Sequence, residues 1–190
     1  MKKTKNDGVI TLEACISVLS FLVLMLLLSS LFLMFMAQNV TSHGLLQTSQ
    51  SLSLDVYSTN RISSLKDDSG IVGGAVGSFI HDLFGNSADN PSFVTDDKWY
   101  EPGTTGDTKL VNAVKKRFVG YIAGGDEAKA DEYLESMNIV DGLDGLDFSG
   151  SYVKKDVLYI VLKYELEYDF NIWNVGTVQV EQTTCSKLWK

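Results

Sequence analysis

Ala14 to Ala37 form a run of 24 residues without a charged side chain, and few folds can accommodate such a run. Most of its residues are Leu, Met, Phe, Val or Ile. A helix needs about 20 such residues to cross the ~30 Å hydrocarbon layer of a membrane. A surface helix of a soluble protein would carry a polar face, which this run lacks. The sequence therefore predicts a transmembrane helix over residues 14–37.

The flanking charges predict the orientation of this helix. Lys2, Lys3 and Lys5 precede the run, and no Lys or Arg follows it until Arg61. Basic residues are retained on the cytoplasmic side of a membrane. We therefore expect a single-pass protein of the cell membrane, with a cytoplasmic N-terminus and an extracytoplasmic C-terminal head.

Composition excludes several classes of function. Residues 38–190 contain 13 basic and 22 acidic side chains, whereas nucleic-acid binders cluster Lys and Arg. We therefore expect no nucleic-acid partner. With two Cys and two His in the whole chain, a structural zinc site, an iron–sulfur cluster and a disulfide-stapled scaffold are also excluded.

A cleavable secretory signal is the first alternative for the N-terminus. Such signals have apolar regions of about 7–15 residues that end in a small-x-small site. The run here is longer, and Phe35-Met36-Ala37 is a poor cleavage site. A plain uncleaved signal anchor stays open as an alternative.

Two residues at the head of the span favour a more specific hypothesis. Gly8 follows the short basic leader, and Glu13 places a carboxylate at the start of the apolar helix. A carboxylate costs about 2.5–3.5 kcal/mol at the centre of a membrane helix and less near its end, so it favours a cationic partner. Cleavage between Gly8 and Val9 would create an α-amino group at Val9, with Glu13 as the fifth residue of the new chain.

The stretch Gly8-Val9-Ile10-Thr11-Leu12-Glu13-Ala14 resembles the TadE-like (tight-adherence) pseudopilins, whose members often read Gly-x-x-Thr-Val-Glu-Ala. The resemblance also extends to the class III leader of type IV prepilins. Two features depart from these families. Val9 stands where pilins usually begin with Phe, and the span lacks the Pro that family members frequently have.

The resemblance implies a function and a set of partners. A prepilin peptidase would cut after Gly8, making Gly8 and Val9 the processing residues. Glu13 would act in assembly by neutralising the amine of a neighbouring subunit. The implied partners are the prepilin peptidase, other pilin-like subunits, pilus or secretion assembly proteins, and the lipid bilayer. No cofactor is implied.

The remaining sequence predicts an α+β head. We expect a leader over residues 1–8, a helix over residues 9–65 that extends the span into a stalk, and a head over residues 66–190. Leu45, Leu52 and Val56 recur at helical spacing, and Gly44 is a possible bend. A partly disordered stalk is the alternative to this continuous helix.

Within the head, local patterns predict the elements. The glycine-rich residues 70–77 indicate a hinge before a short interfacial helix, and residues 85–107 indicate a loop. Two helices are expected from Leu110 to about Gly120 or Gly124, and from Asp126 to Met137. The strict alternation of apolar side chains from Leu158 to Phe170 predicts a strand with one wet face. The other strands of a three-stranded antiparallel sheet are expected over residues 147–153 and 175–189.

Candidate catalytic and metal-binding groups are few, and we expect no enzyme. His43 and His81 lack a nucleophile motif. Cys15 and Cys185 fall in the span and the exported sheet, so they cannot bridge within one chain. A repeat of three acidic residues is a weak candidate for binding Ca²⁺ through its carboxylate oxygens. Its spacing does not match a calcium-binding loop, so a turn before the sheet is the favoured interpretation. The repeat consists of Asp141, Asp144 and Asp147.

The sequence thus favours a TadE-like pilin subunit, used in a type IV or tight-adherence pilus or a secretion pseudopilus. The first alternative is an unprocessed single-pass anchor that presents an extracellular adhesive or sensing domain. The second is an exported enzyme tethered by its span.

Overall fold

The computed structural model describes residues 7–66, 99–100, 104–168 and 176–189, and these form a long helix and a small α+β head. The first helix, α1, is a continuous element over Asp7–Lys66. At 1.5 Å per residue its 60 residues span ~90 Å. The prediction of one long N-terminal helix is confirmed. The glycine-rich residues 70–77, the helix expected after them and most of the 85–107 loop lie outside the described residues.

Two short helices follow, and acidic caps define where each begins. Helix α2 spans Thr108–Ala123, and the Asp107 side chain accepts a hydrogen bond from the Lys109 N–H at 3.0 Å. Helix α3 spans Glu127–Glu135, and Asp126 caps it through the Lys129 N–H at 3.2 Å. Each cap satisfies an amide that has no partner within the helix. Both predicted helices are therefore confirmed.

The C-terminal half of the head is an antiparallel sheet in the order β1-β2-β3. Its strands are β1 over Tyr152–Lys154, β2 over Val157–Glu167 and β3 over Thr177–Lys187. The two-residue turn between β1 and β2 places Lys155 and Asp156 at positive φ, 48° and 63°, as a type I′ hairpin requires. The predicted three-stranded sheet is confirmed.

The first strand is shorter than the sequence suggested. We expected it over residues 147–153, but β1 begins at Tyr152, and Asp147 makes only an isolated bridge with Lys163. The Asp147 carboxylate accepts a hydrogen bond from the Ser149 N–H at 2.8 Å, which folds the chain into a local turn. That turn interrupts the extended backbone before a strand can continue.

One face of α1 packs against α2 and the sheet and forms the core of the head. Leu45, Leu52 and Val56 are at most 2% exposed, as their helical spacing predicted. Leu46 and Leu54 lie outside this stripe and are about half exposed. On β2 the even-numbered residues face this core. They are Leu158, Ile160, Leu162, Tyr164 and Leu166.

Gly44 permits close approach of two helices, whereas we had expected a possible bend there. A Cβ atom at this position would lie 2.9 Å from the ring of Phe118 on α2. The helix continues through Gly44, which is itself buried. The missing side chain therefore provides the space that the Phe118 ring needs against α1.

Candidate functional site

The predicted processing residues lie in the first turns of α1. The helix begins at Asp7, so the Gly8–Val9 peptide bond is part of its first turn. Val9 is 61% exposed. The first four N–H groups of a helix have no intrahelical partner, so this turn unwinds at lower cost than an interior turn. A peptidase that needs an extended substrate can thus reach this bond after local fraying.

Glu13 lies on the exposed surface one turn further along. Its carbonyl oxygen accepts a hydrogen bond from the Ser17 hydroxyl at 2.9 Å. Among the described residues, no ion pair involves its carboxylate. Helix α1 contains no Lys or Arg before Arg61. A cationic partner for Glu13 must therefore come from outside the apolar part of its own helix.

The apolar surface around Glu13 is uncovered. One helix of the described residues is long and apolar enough to cross a membrane by length and composition, and it lies within Val9–Val56. Within the most apolar 18-residue stretch of this helix, only 6% is buried. A core helix of a soluble protein would be mostly buried. A secretory signal meets the same criteria of length and composition.

Coverage of α1 by the head begins near Ser30 and is confined to one face of the helix, since Phe32 and Phe35 remain 68% and 67% exposed. Ser30 is 4% exposed, and Ala37 and Thr41 are fully buried. Met34 packs against the core of the head. Helix α1 therefore consists of an exposed apolar half that bears Glu13 and a second half to which the head is attached.

The contact between α1 and the sheet is a polar seam of hydrogen bonds. The Thr41 hydroxyl donates to the Ala37 carbonyl at 2.8 Å, so its oxygen accepts a hydrogen bond from the Tyr164 hydroxyl, 3.0 Å away. The Gln182 amide donates to Tyr164 at 3.1 Å and to the Gln38 carbonyl at 3.1 Å. Burial raises the pKa of the Tyr164 phenol, and the bond with Thr41 partly opposes that rise. The phenol therefore stays neutral and able to donate.

A second polar contact joins α1 to α2. Arg117 is 4% exposed, and its guanidinium donates to the Ser51 hydroxyl at 2.7 Å and pairs with the Asp55 carboxylate. Sequence reasoning missed this pair. The available signal was the position of Arg117 on the same helical face as Leu110 and Val114, where a solvated Arg is not expected.

The remaining candidates do not form a chemical site. His43 on α1 lines a groove of about 320 Å³ with Tyr121 of α2 and Tyr133 of α3. His81 lies outside the described residues. Cys15 and Cys185 are exposed, in the apolar half of α1 and in β3.

The acidic repeat serves the loop before the sheet. Hydrogen bonds from Ser149 lower the pKa of Asp147, and Asp144 pairs with Lys115 at 3.4 Å. Asp141 adopts a positive φ of 56°, which places it in a turn. In the described part of the chain, no group of three His, Cys, Asp or Glu side chains can hold a metal ion. The structure brings neither these residues nor Glu13 into a shared site.

Comparisons with known proteins add no relative. Neither a protein-family model, nor a curated protein, nor a solved structure matches this chain. We therefore infer its function from the exposed half of α1 and from the attachment of the head.

Proposed function

We propose that this chain is a TadE-like pilin subunit of the cell membrane, processed by a prepilin peptidase and assembled into a pilus or a secretion pseudopilus. The division of α1 carries the proposal. Its first half is exposed, apolar and bears Glu13, whereas its second half is fixed to a folded head. A subunit of this shape is held in the membrane by one helix and remains free to associate along that helix.

The chemistry of Glu13 supports assembly over simple anchoring. An anchor gains nothing from a carboxylate in its apolar helix, because the charge opposes insertion. A carboxylate and an ammonium group in low dielectric are each costly alone and compensate each other when paired. The α-amino group that cleavage would create at Val9 is a cation of the required kind, supplied by a neighbouring subunit.

The N-terminus of the mature protein tests the processing step. The full chain is expressed with an active prepilin peptidase and, in parallel, with a catalytically dead form of it. Intact mass and N-terminal sequencing should show a chain that begins at Val9 only with the active enzyme. Gly8→Leu should block the cut, because a bulky side chain replaces the glycine before the scissile bond. The neighbouring substitution Asn6→Ala is the matched control and should be processed normally.

A chain that begins at Met1 in both hosts would contradict the proposal. In that case the unprocessed anchor with an adhesive or sensing head would replace it. Cleavage within residues 30–40 would instead indicate an ordinary secretory signal.

A further inference from the structure

The head limits how much of α1 lipid can cover. From Val9 to Ser29 the side chains of the helix are exposed, apart from the half-buried Val23. At Ser30 the exposure falls to 4%, and Met34 and Ala37 belong to the packing of the head. A surface that is covered by a water-exposed domain cannot also be covered by hydrocarbon.

The position of the sheet along α1 independently indicates where lipid coverage of the helix ends. Gln182 contacts Gln38, and Ser186 donates to the Ser49 carbonyl at 2.9 Å, so β3 runs in the same direction as α1. Strand β3 begins at Thr177, five residues before Gln182 and thus ~17 Å closer to the N-terminal end of α1. That distance equals about 11 residues of helix, which places the strand ends within about one turn of Ser30.

We infer that the outer boundary of the hydrocarbon layer crosses α1 at Ser30, that lipid covers residues 9–29, and that the Glu167–Thr177 end of the sheet rests at the level of the lipid headgroups. The stretch Val9–Ser29 has 21 residues and spans ~31 Å, which matches the ~30 Å hydrocarbon layer. This inference rests on the proposed membrane function and replaces the span of residues 14–37 that composition suggested.

The register of α1, meaning its position relative to the hydrocarbon layer, determines the depth of Glu13. If the layer begins at Val9, the Cα atom of Glu13 lies about 6 Å inside it, whereas a span of 14–37 would leave Glu13 at the surface. On the outer side, Phe32 and Phe35 project away from the head and are 68% and 67% exposed. At this register they lie in the headgroup layer beside the lower end of the sheet.

Spin labels on α1 distinguish the two registers. Single cysteines are placed at Leu19 and at Met25, which are 64% and 49% exposed, in a Cys15→Ser, Cys185→Ser background of the full chain. The protein is reconstituted in dioleoylphosphatidylcholine vesicles, and depth is read from collisions with oxygen and with a water-soluble nickel chelate. The centre of residues 9–29 is residue 19, so the label at position 19 should be the deeper one. A deeper label at position 25 would overturn the inference.

A second measurement tests which end of the sheet lies at the membrane surface. Labels at Glu167→Cys and Lys154→Cys occupy opposite ends of the sheet, and both positions are exposed. In vesicles that contain a nickel-chelating lipid, relaxation of the label at position 167 should be enhanced, by at least about threefold relative to that at position 154. Equal enhancement at both positions would show that the head does not stand on the membrane by this end.

Failure of the register and failure of the proposed function give different results. If both α1 labels are protected from the aqueous reagent but the label at position 25 is deeper, the protein spans the membrane and only the register is wrong. If both labels are fully accessible to the aqueous reagent, α1 is not inserted, and the membrane function fails with the register.

Discussion

The hydroxyl of Tyr164 on β2 lies 3.0 Å from the hydroxyl of Thr41 on α1, and both side chains are buried. This pair joins the long N-terminal helix to the sheet through a buried polar contact. Tyr164 also accepts a hydrogen bond from Gln182 on β3. Loss of the Tyr164 hydroxyl would therefore remove a hydrogen bond from both Thr41 and Gln182.

We expect Tyr164→Phe to lower the free energy of unfolding of the head by about 1–2 kcal/mol, because the half-buried Gln182 amide loses an acceptor and Thr41 loses a donor. Denaturant unfolding of the full chain in detergent, followed by near-UV circular dichroism, measures this change. Tyr159→Phe is the control, since Tyr159 stacks on Tyr152 through its ring and retains that contact. Equal effects of the two substitutions would argue against a role for the seam.

Arg117 and Asp55 should contribute to the attachment of α2 to α1. Arg117→Ala removes the guanidinium that pairs with Asp55, and we expect a loss of about 2–3 kcal/mol, below the value for fully buried pairs because Asp55 is 27% exposed. Lys115→Ala, which removes an exposed pair with Asp144, should have no measurable effect. A double-mutant cycle with Asp55→Ala isolates the pair, and a coupling energy near zero would contradict its contribution.

Substitution of Gly44 should separate α1 from α2. Gly44→Leu inserts a side chain where even a Cβ atom would lie 2.9 Å from the Phe118 ring, so we expect a loss of about 1–3 kcal/mol. Ser42→Leu on the exposed side of the same helix is the control and should be close to neutral. The difference in denaturation midpoint between the two variants is the measurement. A Gly44→Leu protein as stable as the control would show that the head does not need this close contact.

Glu13→Ala should separate insertion from assembly. The variant loses a charge that opposes insertion, so it should remain in the membrane fraction. It should be excluded from pili or pseudopili, because its neighbour's amine then has no counter-charge. Ser17→Ala, one turn away, is the matched control and should be incorporated normally. Normal incorporation of Glu13→Ala into isolated filaments would contradict the assembly role.

The stability of the loop before the sheet should depend on pH through Asp147. Its pKa in the folded protein is lowered from 3.8, because the Ser149 side chain and N–H donate to the carboxylate. The carboxylate therefore stabilises the folded state fully above pH 3.8, and this contribution is lost as pH falls through the lowered value. Asp147→Asn should thus destabilise the protein near neutral pH and have a smaller effect at about pH 3. Comparison of the unfolding curves at the two pH values checks this, and an effect that grows with acidity would contradict it.

Local patterns in the sequence determined the elements of the fold. The uncharged run required a long apolar helix, the alternation from Leu158 to Leu166 marked both the strand and its buried face, and Asp126 marked a helix start. These features are readable because helical and extended backbones repeat with fixed periods and because helix starts need acceptors for unpaired amides. The helix starts were therefore predicted to within two residues, at Asp7, Thr108 and Glu127, and the buried stripe of α1 was predicted as well.

Only the tertiary structure decided which residues meet and how far the head extends along α1. The contacts of Gly44 with Phe118 and of Arg117 with Asp55 join residues more than 60 positions apart, and no local period encodes such pairs. Composition likewise could not place the limit of lipid coverage, because residues 30–37 are as apolar as those before them. The burial of Ser30 and Ala37 on one face of this stretch depends on the head that packs beside them, and that packing is a property of the whole chain.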